Sequence, residues 1–502
     1  MIITRRNLGI MAFAAFAAVG LTNCTDLEPE DSDSVFREQV DGVAIPGNPG
    51  ELVNAAYNNL AVFTDQANVY SLMQHSSDEL IPPTRGVDWG DNGVWRTLHA
   101  HTWDPTHAFV LSGWNDMNGR LFATQEILAG DATPQQQADA RFLQGFYTWH
   151  ILDLFGQVPF REFTDGVDDL PRVISRADAI DQAIENVESA IGSLPSQGPG
   201  LNVQGSKAAA YNMLTRMYLN KAVYQASNPA GPYEFDNADL QKVVEYADLV
   251  TAEGYSFEDD YFSIFEAGDN SEVILYSNNG SPQNRYYMTL HYDSPLSGWN
   301  GFTTIAELYD SFDENDPRFG EDADPDGTQF SGIGTGFLEG QQFSDNGDPI
   351  IEQRGQTPLI FTKEVPLAGA TVTQGIRVIK YHPGRSDKYV IMRYAESQLN
   401  KAEAMFRMGD AEGARQVINE MRTARGGDEV DSVDEDFLLD ERARELYWEG
   451  LRRVDQVRFG TFTGDESTWT GKDTPSDASR VLFPIPQQAI DSNPNLSQNP
   501  GY

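Results

Sequence analysis

The sequence predicts a mostly α protein, a scaffold of helical hairpins carrying one irregular, loop-rich insertion. Three observations predict it. Apolar residues recur at helical spacing in segments on both sides of the chain's middle. Gly- and Pro-rich turns separate these segments. Between about 258 and 387 the texture changes to Gly, Asp, Asn, Pro and aromatic residues with short strand-like runs.

The first 23 residues read as an export signal, with Arg5 and Arg6 before an apolar run from Leu8 to Leu21 that is short for a bilayer span. Cys24 follows, the one cysteine of 502 residues, so no internal disulfide is available. "LTNC" resembles a bacterial lipobox, which makes Cys24 the expected lipidation site. "TRRNLG" also resembles a twin-arginine signal and leaves the export route open. Residues 24–48, with "DLEPEDSD", read as an acidic tether.

The body, 49–502, divides into an N-terminal helical part (49–257), the insertion (258–387), and a C-terminal helical part with an extended tail (388–502). "GELVNAAYNNLAVF" opens it as an amphipathic helix from Gly50 to Phe63. A loop from about Ser76 to Thr106 follows, where Pro82, Pro83, Gly86, Gly90 and Gly93 argue against regular structure. Helices resume with "VLSGWNDMNGRLFATQEIL" and with "QQQADARFLQGFYTWHILDLFG", which carries Phe142, Phe146 and Trp149 on one stripe. Three more run at about 176–193, 205–227 and 237–253. Paired across short turns, these helices suggest stacked tetratricopeptide-like hairpins. The most repeat-like piece is "KAEAMFRMGDAEGARQVINEMRTARGG". There Gly409 turns the chain, Asp410 caps the next helix, Ala414, Ile418 and Met421 form its buried face, and Gly426 ends it.

Composition removes some functions. With 76 acidic against 35 basic residues the formal charge is −41, a surface that repels nucleic-acid backbones. Scattered acidity of this kind suggests a salty, halophile-like habitat, where salt screens self-repulsion. The sequence holds no H-E-x-x-H, G-x-S-x-G or P-loop motif. His99, His101 and His107 lie close in sequence, but spacing fixes no acidic ligand beside them, so backbone or solvent partners are expected. "DADPDG" opens like a calcium loop at Asp322, Asp324 and Asp326, yet Ile333 stands where the bidentate Glu belongs. No cofactor is otherwise implied.

The aromatics are placed more tellingly. Trp89 and Trp95 sit in the Gly/Pro loop beside Asp78, Asp91, Asn92 and Arg96. Trp299 sits in the insertion next to Asn300, with Tyr286, Tyr287 and Tyr292 upstream. Flat rings stack on the apolar faces of sugars while Asn, Asp and Arg meet the hydroxyls, so this set is the candidate carbohydrate platform.

Several segments resemble the SusD/RagB family of surface glycan-binding lipoproteins. They are "ADARFLQGFYTWHILDLFGQVPF", "YVIMRYAESQLNKAEAMFRMG", "ERARELYWEGLRRVDQVRFG" and the ending "LFPIPQQAIDSNPNLSQNPGY". In the third, Glu441, Arg442, Glu445, Glu449, Gly450, Arg452, Asp455, Arg458 and Gly460 carry the likeness, and their own spacing reads as a structural ion-pair lattice on one helix. The resemblance implies four tetratricopeptide-like helix pairs and a lipid-anchored place at the outer-membrane surface. It also implies capture of a glycan and its delivery to a SusC-like TonB-dependent transporter, a binder's role in nutrient uptake rather than an enzyme's. The alternatives are a binder of peptides or another nutrient on the same scaffold, and a glycoside hydrolase.

Overall fold

The computed structural model describes residues 39–40, 43–166, 168–200, 202–313 and 315–502, with side chains from Ile45 onward. Cys24 and the signal segment lie outside the described residues. Ahead of Pro46 lies a separate unit, whose described part pairs Gln39–Val40 antiparallel with Val43–Ala44. Pro46 to Tyr502 is one compact unit.

Its scaffold is built from α1 (Pro49–Asn58), α2 (Asn68–Gln74), α3 (Val94–His99), α4 (Ala108–Ala129), α5 (Pro134–Phe155), α6 (Arg176–Ala190), α7 (Lys207–Gln225) and α8 (Asn237–Ala252). The C-terminal part adds α9 (Tyr394–Arg407), α10 (Ala411–Ala424), α11 (Glu435–Leu446) and α12 (Arg452–Phe459). Helices α4 to α10 pack as successive neighbours along the chain, α9 closing on α8, which is the stacking of tetratricopeptide-like hairpins. Local chemistry sets the boundaries. Thr133 and Gln136 form a capping box at the start of α5, Pro134 takes its first turn, and Gly156 ends it at φ 73°. Ser175, Ser206, Asp236, Asp410 and Asp434 cap five further helices. Gly145 lets α5 and α6 approach closely, since a Cβ there would stand 2.7 Å from the Ala183 carbonyl oxygen.

Three expectations are corrected. The helix from Gly50 to Phe63 is α1 followed by a 3-10 turn, Asn59–Thr64. The Gly/Pro loop contains α3, whose N-cap, Gly93, turns at φ 86°. The run from Glu441 to Gly460 is two helices, broken at Tyr447–Leu451 with Trp448 at φ 59° and Gly450 at φ 77°. Partners distant in sequence satisfy the break. The Trp448 amide donates to Glu79 Oε2 at 3.0 Å, and the Gly450 amide donates to Gln74 Oε1 at 2.9 Å.

The ion-pair lattice is real, but it lies inside the molecule and mostly joins separate elements. Arg393 and Arg425 both reach Glu272 and Glu445, Arg318 reaches Asp316, Glu441 and Glu445, and Arg458 reaches Glu403 and Asp455. Burial pushes Glu445 up, but Arg425, Arg393 and Arg318 outweigh it and hold the carboxyl well below its usual range.

Short strands position the insertion. Val273–Ser277 pairs with Tyr389–Arg393 and closes its base. Leu80–Ile81 pairs with Thr303–Thr304, Leu80 opposite Thr304, which brings the Gly/Pro loop against the segment carrying Trp299. Arg377–Ile379 pairs with Gly336–Leu338 behind it.

Candidate ligand platform

The short pairing of Leu80–Ile81 with Thr303–Thr304 has a direct consequence for the tryptophans. Trp89 Nε1 donates to the Trp299 carbonyl at 3.0 Å, joining loops 210 positions apart. The Trp299 ring lies parallel to Tyr287, with centroids 5.5 Å apart and planes at 17°. Trp299 is 36% exposed, so this stacked pair presents a flat apolar step to solvent. Tyr286 packs half-buried against Tyr287 at 5.0 Å. Trp89 is half-buried behind them, against Phe302 at 4.8 Å. Gly301 leaves it room, because a Cβ there would come within 2.5 Å of Trp89 Cζ2.

The backbone around the platform is strained. Trp89, Asp91, Asn92 and Asn300 have φ of 61°, 32°, 53° and 52°. Each such non-glycine residue costs about 1–3 kcal/mol and persists where its surroundings hold it. At Asn300 two buried arginines supply that hold. Arg377 donates to Asn300 Oδ1 at 2.6 Å and to the Val372 carbonyl at 3.0 Å. Arg85 donates to the Asn300 carbonyl at 3.0 Å, and also to the carbonyls of Thr371 and Gln374. Burial lowers both guanidinium pKa values, Arg85 to about 10.

The polar candidates separate into groups. Asp91 and Asn92 are exposed, and Asp91 accepts the Trp95 indole N–H at 2.7 Å. Arg96 is half-buried on α3. Tyr292 donates to Asp88 Oδ2 at 2.7 Å, and Arg354 pairs with the same oxygen at 2.9 Å while lying 4.2 Å over the Tyr292 ring. The hydrogen bond from Tyr292 and then Arg354 lower the Asp88 pKa, while burial and Asp88 push Tyr292 up to about 12.

Three candidates are engaged by the protein itself. Trp95 is buried among Phe109, Phe302 and His75, and so is a core residue. Asn300 is fully buried and acts as a clamp. Asp78 is held bidentately by Arg452 at 2.6 and 2.8 Å. Asp88, Arg354, Arg85 and Arg377 complete the site without a local sequence signal, because their partners come from distant segments. His99, His101 and His107 each bond backbone carbonyls, of Leu80 and Thr470, of Ser76 and of Val94. Asp322, Asp324 and Asp326 do not converge; the group of described residues close enough to share an ion is His291, Asp293 and Glu352.

Helical hairpins carrying a loop-rich insertion make this a SusD-like fold. A SusD superfamily protein of Parabacteroides distasonis matches with a TM-score of 0.69 at 16% identity, over 90% of this chain and 98% of that one. The surface glycan-binding protein A of Bacteroides thetaiotaomicron, solved with laminarihexaose, matches at 0.64 with 18% identity, over 90% and 98%. The sequence is also similar to the starch-binding protein SusD of Bacteroides thetaiotaomicron, 29% identical over 475 residues and covering 82% of each chain. Residues 377–502 match the family model of the SusD family. In fold and in sequence, then, the chain is similar to proteins of the SusD family.

Proposed function

We propose that the protein binds a glycan on the Trp299–Tyr287 step and, as a surface lipoprotein anchored through Cys24, presents it to a SusC-like TonB-dependent transporter. The single observation carrying the reading is that parallel, solvent-facing ring pair on a strained and clamped loop. Pyranose C–H faces are flat and apolar, so they stack on such rings, and the reading assigns exposed Asp91 and Asn92 to the hydroxyls. The 29% identical relative is a starch-binding protein, which supports a glycan as the ligand class. The role is that of a binder rather than an enzyme, as the similarity to the starch-binding relative and to the SusD family model supports. Among the described residues no helix is long and apolar enough to cross a membrane, so the reading assigns membrane attachment to acylated Cys24.

The test is a binding screen of the chain from Thr25 against neutral polysaccharides, oligosaccharides and peptides in high salt, with Trp299→Ala alongside. A glycan that binds the parent chain and is lost in the variant supports the reading. A blank glycan panel with a peptide hit overturns it.

A further inference from the structure

A few residues beyond the stacked tyrosine lies a donor set that the platform does not use. His291, Asp293 and Glu352 each offer a ligand atom, and these atoms all lie within 4.8 Å of one another. His291 has a fully buried side chain, and its Nε2 is enclosed with no hydrogen-bond partner. Its Nδ1 stands 3.7 Å from Asp293 Oδ2 and accepts the Asp293 amide. Glu352 is 1% exposed, yet among the described residues no lysine or arginine salt bridge reaches it; its oxygens take the amides of Arg354 and Gly355 in its own turn. Other buried carboxylates, such as Glu272, Glu403 and Glu445, are ion-paired with arginine. Nδ1 is the nitrogen that faces Asp293, so it is the one to ligate, exchanging the Asp293 amide for an ion while Nε2 keeps the ring proton.

We propose that His291, Asp293 and Glu352 form a binding site for a first-row divalent cation of the Zn²⁺ type. Tetrahedral ligand atoms about 2.1 Å from a common ion stand about 3.4 Å apart, so the widest of these separations closes by about 1 Å or more on binding. The cation class follows from the charges around the site. Arg377, Arg85 and Arg354 all lie close enough to act electrostatically on His291. The same guanidiniums oppose a cation held by carboxylates alone, so the site selects an ion with high affinity for nitrogen over Ca²⁺ or Mg²⁺. Asp293 is the member nearest solvent, its side chain 20% exposed. The ion would tie the segment running from His291 to Trp299 to the Ile351–Glu352/Thr357–Pro358 hairpin, a junction where Gln353 donates its amide to Asp293 at 2.9 Å.

The experiment uses the soluble chain treated with chelator and then titrated with ZnCl₂ or CaCl₂, reading bound metal per chain after gel filtration together with the thermal midpoint. The expected result is one Zn²⁺ per chain and a raised midpoint. His291→Gln and Glu352→Gln should weaken binding at least tenfold and remove the shift. Asp293→Asn, at the most accessible position, gives a folded variant with the same loss, and Asp324→Asn, outside the set, leaves binding unchanged. No stoichiometric Zn²⁺, equal affinity in all variants, or Ca²⁺ displacing Zn²⁺ at equal concentration overturns the site. None of these readings depends on a glycan, so they are independent of the platform's test.

Discussion

At the scale of single residues, tryptophans near one another in space have opposite roles. Trp299 spends part of its surface on solvent and stacks on Tyr287, so its removal should act on ligand affinity. An aromatic stacking contact is worth about 0.5–1.5 kcal/mol beyond area, so Trp299→Ala should weaken glycan binding by roughly three- to tenfold or more. Its thermal midpoint should stay near the parent's. Trp95 is 5% exposed and touches Phe109, Phe302 and His75. Trp95→Ala should therefore cost about 3–5 kcal/mol of stability, the usual range for emptying a buried tryptophan site. Calorimetry on both variants with one bound glycan separates the effects. If Trp299→Ala melts early and binds normally, the platform assignment fails.

At the scale of elements, two glycines set distances that larger residues would break. Gly145→Ala drives a methyl against the Ala183 carbonyl and Val187, prying α5 from α6, and should cost about 1–3 kcal/mol without touching the ligand surface. Gly301→Ala drives a methyl into Trp89 Cζ2, and should lower ligand affinity as well as stability. Urea melts and binding measurements on the pair would show the difference; equal binding in both sinks the claim that Gly301 seats the platform. The helices themselves were legible, because their signals are local: Thr133 with Gln136, or Gly409 with Asp410, acts within a few residues. The break at Trp448 was not, since the groups that satisfy it, Gln74 and Glu79, come from more than 360 positions away. The site shows the same division. Trp89 and Trp299 stand out as aromatics in Gly-rich loops, while burial of Trp95 and Asn300 and the Arg354–Asp88 pair, 266 positions apart, depend on long-range pairing that no local pattern carries.

At the scale of the whole molecule, charge is handled in two ways. Most of the excess acidity faces solvent, where ions screen it, so the thermal midpoint should rise between about 0.05 and 1 M NaCl as the Debye length falls from above 10 Å to about 3 Å. The buried charges and imidazoles are screened far less and answer to protons. All seven histidines are held below their ordinary range, chiefly by burial: His99 to about 4, His150 and His291 to about 3, and His75, His101, His107 and His382 also downward. A histidine whose folded pKa is depressed stabilises the fold above its unfolded value near 6.5, and loses that contribution as pH falls through the folded value. Each one between its two values costs about 1.4 kcal/mol per pH unit. Glu403, which burial pushes up but Arg458 and Arg407 hold at about 2, adds a second loss below about 4.5. Glu79 works in the other direction: burial raises it to about 7, so its contribution is full below 4.5 and is lost as pH rises through 7. Asp139, which burial raises to about 6, acts in the same direction as Glu79, and burial raises Glu266 and Asp440 as well. Seven histidines outweigh these four carboxyls, so stability should fall from about pH 6.5 downward, and more steeply below 4.5. Thermal melts from pH 8 to 4 in 1 M NaCl measure this with the surface charge screened. A midpoint unchanged between pH 7 and 5 would mean that the imidazoles are not neutral inside the fold.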